Sequence, residues 1–218
     1  MTIALKASSA LNSNGTGSTA SITHSLTFSS GDLIVVMINR NNSTTAIDIT
    51  DEGFTELWQA DGAESSRYAI GYKISNGTES DPLTFGLNVS ASHELHMLAF
   101  TGTFSAGTVE DVLGSVDTAT PPITGETVAT ASVAIAFVQA DTGGTEYTGA
   151  DSPWTLGTGS QSTRNAASAY QLMPSGGATT DCTFQAAAGL VDHGLIFSFK
   201  EGGGATEEHF LTLLGVGQ

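Results

Sequence analysis

The chain has 218 residues and a mass of 22.2 kDa, and its 6 basic and 22 acidic side chains give a formal charge of −16 at pH 7. This acidity disfavours nucleic acid as a partner, because an acidic surface repels phosphates. A hydrophobic fraction of 39 % excludes an acidic disordered tail. A disulfide-stapled scaffold is excluded because Cys182 is the single cysteine.

The chain start and the longest apolar runs bear on location. The first ten residues lack the basic and apolar regions of a secretory signal. The apolar runs at 33–38 and 133–138 have the length of strands and are too short to span a bilayer. We therefore expect a protein made in a cytoplasm, with no membrane partner.

Two series of similar segments follow one another along the chain. The first series lies at 31–39, 54–58, 67–74, 81–85 and 93–102, and the second at 131–139, 153–156, 164–172, 180–184 and 193–200. Their aromatic residues recur in the same order, as Trp58, Tyr72, Phe85 and Phe100 and then as Trp154, Tyr170, Phe184 and Phe199. The successive spacings are 14, 13 and 15 residues in the first series and 16, 14 and 15 in the second. This agreement predicts an internal duplication.

The segments have the composition of strands. They are rich in Thr, Ser, Val, Ile and aromatic residues, they alternate with a period of two at Tyr68, Ile70, Tyr72 and Ile74, and pairs such as Asn76-Gly77 punctuate them. We predict an all-β fold, a two-sheet antiparallel β-sandwich of jelly-roll-like type, in residues 1–200. Repeat one covers about 20–105, a joint 106–124, and repeat two about 125–200. Two small tandem sandwiches are the alternative.

The aromatic landmarks have two interpretations. We favour a core role, because a residue repeated at one strand position in both halves is most simply explained by packing. This prediction covers Trp58, Trp154, Tyr72, Tyr170, Phe85 and Phe184. An exposed pair, Trp58 and Trp154, would instead suit stacking on a sugar.

The last segment, 201–218, combines a glycine linker with an apolar stretch. Thr206 is a candidate N-cap, Phe210, Leu213 and Leu214 would share one helix face, and Gly215 is a stop signal. A helix this short does not persist alone in water, so the segment is expected to dock, either on its own sandwich or on another subunit. A short added strand is the alternative. The predicted assembly residues are Phe210, Leu211, Leu213, Leu214 and Val216.

Patterns that indicate chemistry are weak. His93 and His96 resemble part of a zinc-protease pattern, but strand alternation would place them on opposite faces. Asp48, Asp51 and Glu52 could hold Ca²⁺, although they lack the EF-hand spacing, and a solvated loop is the simpler interpretation. We therefore predict that the protein is not an enzyme and has no catalytic residue, metal or cofactor.

The first series contains five strand motifs. These motifs are Gly-Asp-Leu-Ile-Val-Val from Gly31, the Trp58 strand, Arg-x-Ala-x-x-Tyr-Lys-Ile from Arg67, Asp-Pro-Leu-Thr-Phe from Asp81 and His-x-Leu-x-Met-Leu-Ala-Phe-Thr-Gly from His93. Together they resemble the strand motifs of structural proteins of tailed bacteriophages. The resemblance covers about residues 20–200. The second series departs from it, with Ala-Ser-Val at 131–133 where the first has Gly-Asp-Leu.

This resemblance implies a virion component such as a capsid decoration protein, a head fibre or a tail-associated subunit. The expected partners are other copies of the chain, with a trimer as one form, and a capsid or tail protein. The expected location is the virion. The alternative is a carbohydrate-binding or host-adhesion module, for which a host glycan would be the partner.

Overall fold

The computed structural model confirms an all-β protein built from antiparallel sheets, consistent with a β-sandwich. It describes residues 3–6, 11–41, 43–61, 67–104, 109–113, 127–128, 132–140, 147–158, 166–175, 177–178, 181–186 and 191–202. Within these ranges the one helical element is a 3₁₀ turn at Asp51–Gly53.

The first half of the chain forms one sheet, here called sheet one. Its strands are β1 (Ala4–Leu5), β2 (Leu11–Ile22), β3 (Ser30–Arg40), β4 (Thr55–Asp61), β5 (Arg67–Asn76) and β6 (Leu83–Thr101). The order across the sheet is β1-β6-β3-β5-β4, and β2 also pairs with β6. The long β6 pairs with β2 over most of its length.

The second half forms sheet two, with the order β11-β12-β9-β15-β7. Its strands are β7 (Val109–Leu113), β9 (Ser132–Ala140), β11 (Thr155–Thr158), β12 (Ala166–Met173) and β15 (Val191–Lys200). Two small ladders accompany it, formed by β8 (Thr127–Val128) with β13 (Gly177–Ala178) and by β10 (Tyr147–Ala150) with β14 (Phe184–Ala186).

The central strands of the two sheets have the same neighbours. β3 lies between β5 and β6, and β9 lies between β12 and β15. Val35 of β3 pairs with Tyr72 of β5, and Ile135 of β9 pairs with Tyr170 of β12. Each half of the chain therefore builds one sheet with a corresponding strand order and register.

The edge strands β4 and β11 carry a register shift at the same place. In β4 the shift lies between Glu56 and Trp58, and in β11 it lies between Leu156 and Thr158. Such an irregularity inserts a residue on one strand and bends it locally.

Trp154 corresponds in position to Phe54 rather than to Trp58. Phe54 directly precedes β4 and Trp154 directly precedes β11. Both are buried, and each backbone N–H donates to the carbonyl of the aspartate three residues earlier, Asp51 or Asp151. The pairing of Trp58 with Trp154 that we expected from spacing is therefore wrong.

One core cluster lies between the two sheets. Sheet one contributes Leu33, Val35, Met37, Ile70, Leu98 and Phe100, and sheet two contributes Val133, Ile135, Phe137, Leu195, Phe197 and Phe199. A second cluster lies on the other face of sheet one, where Ile34, Val36 and Ile38 pack with Phe54 and Phe85. Because β3 is buried on both faces, its sequence is a continuous apolar run instead of an alternating one.

The structure describes part of the expected joint, but it describes only the first two residues of the expected docking segment, 201–218. The joint, 106–124, contains β7, which pairs with β15 as an edge strand of sheet two. Part of that segment therefore belongs to the second sheet. The segment 203–218 lies outside the described residues, and Gly202 donates its N–H to the carbonyl of Thr103 at the last described position.

Candidate functional site

The predicted assembly residues do not fall in the described part of the chain. Phe210, Leu211, Leu213, Leu214 and Val216 all lie beyond residue 202, as does the predicted short helix. Their role stays a prediction.

The aromatic landmarks divide into two groups by burial. Of the six landmarks predicted to lie in the core, Phe85 and Trp154 are buried. The remaining four are half-buried and pack against core clusters, namely Trp58, Tyr72, Tyr170 and Phe184. Trp58 also borders an open space.

An open cavity lies between the two sheets beside Trp58, and we call it the inter-sheet cleft. It contains about 270 Å³ of space between atoms, part of it open to solvent. Its lining is almost wholly apolar and consists of Met37, Trp58, Tyr68, Ile70, Phe137, Val138, Gly194 and Leu195. The space inside it that a water-sized molecule can occupy is only about 20 Å³, so the cleft is a shallow apolar depression.

A buried ionisable pair lies on β6, one strand away from a cleft residue. Glu94 Oε1 is 2.9 Å from His96 Nε2, and neither side chain has exposed surface. His96 pairs in register with Met37, which lines the cleft, and Glu94 pairs with Asn39, which is also buried. Strand alternation puts Glu94 and His96 on the same face as Leu98, which belongs to the core between the sheets.

Sequence reasoning missed this pair because it compared His93 with His96. His93 shares the face of Leu95 and Met97, whereas His96 shares the face of Leu98. The two histidines therefore do point to opposite faces, as predicted. Period-two alternation within the same strand could have placed Glu94 beside His96. Among the described residues no group of three or more His, Cys, Asp or Glu is arranged to hold a metal ion.

The candidate calcium residues make contacts within the protein. Asp51 Oδ2 accepts the backbone N–H of Gly86 at 2.7 Å, and Asp48 Oδ1 accepts the hydroxyl of Thr50 at 2.8 Å. The backbone carbonyl of Glu52 accepts from Lys73 at 2.5 Å. The contacts of Asp51 and Glu52 fix the 3₁₀ turn against β6 and β5.

The basic side chains are used to hold the sheets and loops together. Lys6 lies 2.9 Å from Asp32, Arg67 lies 2.5 Å from Asp61, and Lys73 lies 2.6 Å from Glu79. These three pairs and Arg40 engage four of the six basic residues in the chain.

Arg40 has no exposed surface and donates to the backbone carbonyls of Leu87, Ser43 and Thr45. Its burial, together with the nearby positive charge of Arg67, lowers the pKa of the guanidinium. Because four of the six cations are engaged internally while Asp48, Glu56 and Asp151 are exposed, the described surface is predominantly acidic.

Two buried groups with perturbed acidity lie on the outer side of sheet two. Burial, with the charge of Asp151, raises the pKa of the Cys182 thiol to about 12, and burial raises the pKa of the Tyr147 phenol above its ordinary value. Both groups are therefore neutral at pH 7. A neutral buried thiol is a poor nucleophile, so Cys182 packs as a small apolar side chain.

The comparisons with known proteins identify no relative. No family model, no curated protein and no solved structure matches this chain. In the described ranges there is no helix with the length and apolar character needed to cross a membrane.

Proposed function

We propose that this protein is a non-enzymatic structural subunit of a tailed-phage virion, a capsid decoration protein or another surface-exposed head or tail subunit. One observation carries the proposal: two sheets of corresponding strand order and register pack face to face and bury a continuous core. A body built in this way is suited to holding a fixed shape. The likeness of its strand motifs to phage structural proteins adds support.

We propose further that the fold arose by internal duplication. The corresponding strand orders, the matching register shifts in β4 and β11, and the corresponding positions of Phe54 and Trp154 all support it. The jelly-roll-like connectivity stays a prediction. Each sheet is formed by one half of the chain, so the strand orders favour a sandwich in which each repeat contributes one sheet.

The proposed partners follow from the surface and from the last segment. The engaged cations and exposed carboxylates give a surface that repels nucleic acid and other acidic shells and favours solubility. Assembly would then depend on the apolar residues of 201–218, which would bind a second copy or a capsid or tail protein. We propose a symmetric homo-oligomer, with a trimer as one form, and a virion location.

Light scattering coupled to size-exclusion chromatography tests self-assembly. The full chain is compared with a Phe210→Asp, Leu213→Asp double variant, and Thr212→Asp is the control because it adds a charge in the same segment at a polar position. We expect an oligomer for the wild type and the control and a monomer for the double variant. A monomeric wild type, or a double variant that keeps the oligomer, would contradict assembly through this segment.

A carbohydrate-binding or adhesion module is the second candidate, and Trp58 favours it. This half-buried ring borders the inter-sheet cleft together with Tyr68, and aromatic faces beside an open cleft can stack on sugar rings. A glycan array followed by calorimetry tests it. Trp58→Ala should abolish saturable binding while the protein stays folded, and Leu172→Ala, a change at an exposed apolar residue, should leave binding intact.

A further inference from the structure

The turn that follows β5 brings together four groups around one amide. Asn76 ends β5, is exposed and is followed by Gly77, whose φ is 93°. Glycine tolerates this left-handed conformation and leaves its backbone nitrogen unshielded by a side chain. The turn is therefore a place where a backbone nitrogen lies next to an accessible side-chain amide.

Two donors converge on the carbonyl oxygen of that amide. The backbone N–H of Thr78 donates to Asn76 Oδ1 at 2.9 Å, and the Thr78 hydroxyl donates to the same oxygen at 2.7 Å. Two donors on one carbonyl oxygen withdraw electron density from the carbon and stabilise the negative charge that develops when a nucleophile adds to it.

The Ser75 hydroxyl oxygen accepts a hydrogen bond from the Gly77 nitrogen, which is the potential nucleophile. The backbone N–H of Gly77 donates to Ser75 Oγ at 2.9 Å, and Ser75 is only 2 % exposed. This bond holds the Gly77 nitrogen in place and directs its proton toward an oxygen. The turn thus supplies a nucleophile, a proton acceptor and two oxyanion donors in four consecutive residues.

We propose that Asn76 is a site of self-catalysed deamidation. The Gly77 nitrogen attacks Asn76 Cγ, and its proton is relayed through Ser75 Oγ and solvent to the side-chain nitrogen of Asn76. The new C–N bond closes a five-membered succinimide while the charge on Oδ1 is held by Thr78. The bond from Cγ to the side-chain nitrogen then breaks, and that nitrogen leaves as ammonia. Water opens the ring at either carbonyl to give aspartate or isoaspartate.

The modification changes the surface beside sheet one. It adds a negative charge to an exposed turn that already carries Asp81. The isoaspartate product also lengthens the backbone by one methylene where Asn76 pairs with Ser30. This proposal does not rest on the virion function.

The chain contains its own control for this chemistry. Asn14-Gly15 has the same two residue types, but it lies within β2, where Gly15 pairs with His93 of β6 in a regular ladder. The unfolded chain offers no such difference, so the two sites should convert at similar rates there. In the folded protein the turn should favour conversion at Asn76.

The experiment incubates the full-length protein at pH 8, folded and in denaturant, and follows both sites by peptide mass spectrometry and ammonia release. We expect conversion at Asn76 to exceed that at Asn14 by about tenfold or more in the folded protein, and by less than about twofold in denaturant. Thr78→Val removes one oxyanion donor and should slow conversion at Asn76 by about tenfold or more. Ser75→Ala should also slow it, whereas Thr50→Val, a distant change of the same type, should not.

Two results would overturn the proposal. One is a folded protein in which Asn76 converts no faster than Asn14. The other is a Thr78→Val variant in which Asn76 converts as fast as in the wild type or faster, since the two bonds would then restrain the amide. The comparison of Asn76 with Asn14 is made in the wild-type chain, so it does not depend on whether a variant folds.

Discussion

The ring of Tyr72 packs on the ring of Phe199 across the two sheets, with 5.1 Å between their centroids. The ring of Tyr170 packs on Phe100 in the opposite sense, at 5.5 Å. Tyr72 and Tyr170 hold corresponding places beside β3 and β9, as do Phe100 and Phe199. The same kind of contact therefore occurs twice, once in each direction between the sheets. Contacts repeat in this way across an interface with two-fold symmetry.

Removing one ring from this interface should destabilise the whole sandwich. Phe199 has no exposed surface, so Phe199→Ala removes buried area and leaves a cavity between the sheets. We expect a loss of about 3–5 kcal/mol in the free energy of unfolding, measured by urea titration. Leu172→Ala is the control, because this residue is 38 % exposed, and it should cost less than about 1 kcal/mol. A similar loss for both variants would mean that the ring contact is not part of a tightly packed core.

The buried pair on β6 allows a double-mutant cycle. His96→Leu leaves the buried Glu94 carboxyl without the polar partner that lies 2.9 Å away, which should cost about 3–5 kcal/mol. Glu94→Met together with His96→Leu removes both polar groups, so the double variant should lose less stability than His96→Leu alone. Urea unfolding of the two single variants and the double variant measures the coupling. Strictly additive losses would show that the two side chains do not interact across the 2.9 Å contact.

The strands could be predicted from the sequence because burial leaves a local signature. The run at 33–38 is continuous and apolar because β3 is buried on both faces, and the length of the run predicts a strand. The all-β, antiparallel character follows from many such short segments separated by turn residues. These features depend on neighbours along the chain, which a sequence displays directly.

The spacing of aromatic residues was a less reliable guide to which positions correspond. Matching Trp58 with Trp154 relied on residue type, whereas backbone pairing sets the correspondence between the sheets. The register puts Trp154 with Phe54, and Trp58 with the strand position of Thr158. A large apolar side chain is needed at 54 and 154 to cover the outer face, and either aromatic residue meets that need.

The inter-sheet cleft could not be predicted because it depends on how two sheets face each other. Met37 and Leu195 are about 160 residues apart in the chain and meet only when sheet one packs on sheet two. No local sequence pattern indicates a contact between residues so far apart in the chain. The turn at Asn76 could be predicted, because Asn-Gly is a turn signal. The groups that surround the Asn76 amide all come from residues 75–78.

The Asp81 carboxylate should make the stability of the protein depend on acidic pH. It accepts the backbone N–H of His24 at 3.0 Å and of Ser25 at 2.9 Å, and these bonds lower its pKa below the ordinary value of 3.8. A lowered pKa in the folded state stabilises the protein above the pKa of the unfolded state, and this stabilisation is lost as the pH falls through the folded value.

The comparison with Asp81→Asn isolates this contribution. The urea midpoint of the wild type should exceed that of the variant at neutral pH, and the difference should shrink as the pH falls below 3.8. Circular dichroism at a series of pH values measures both midpoints. A difference that stays constant down to pH 2 would show that the charge of the carboxylate is not what the two backbone bonds stabilise.

A side chain at Gly157, the extra residue at the register shift of β11, should destabilise the protein. A Cβ on Gly157 would lie 2.8 Å from Leu98 Cδ2 and 2.8 Å from Ser168 Oγ, closer than such atoms approach in proteins. The irregular residue of β4, Leu57, is half-buried against the same core between the sheets. We therefore expect Gly157→Ala to cost about 1–3 kcal/mol through overpacking, as measured by urea unfolding.

Two further variants decide whether the contact with sheet one causes this loss. Gly17→Ala is the matched control, because the nearest atom to its Cβ would be 3.9 Å away, and it should be neutral or slightly stabilising. Leu98→Ala in the Gly157→Ala background makes room for the new methyl group. The double variant should therefore lose less stability than the two single losses added together. Additive losses would place the strain of Gly157→Ala within β11 and β12 and not between the two sheets.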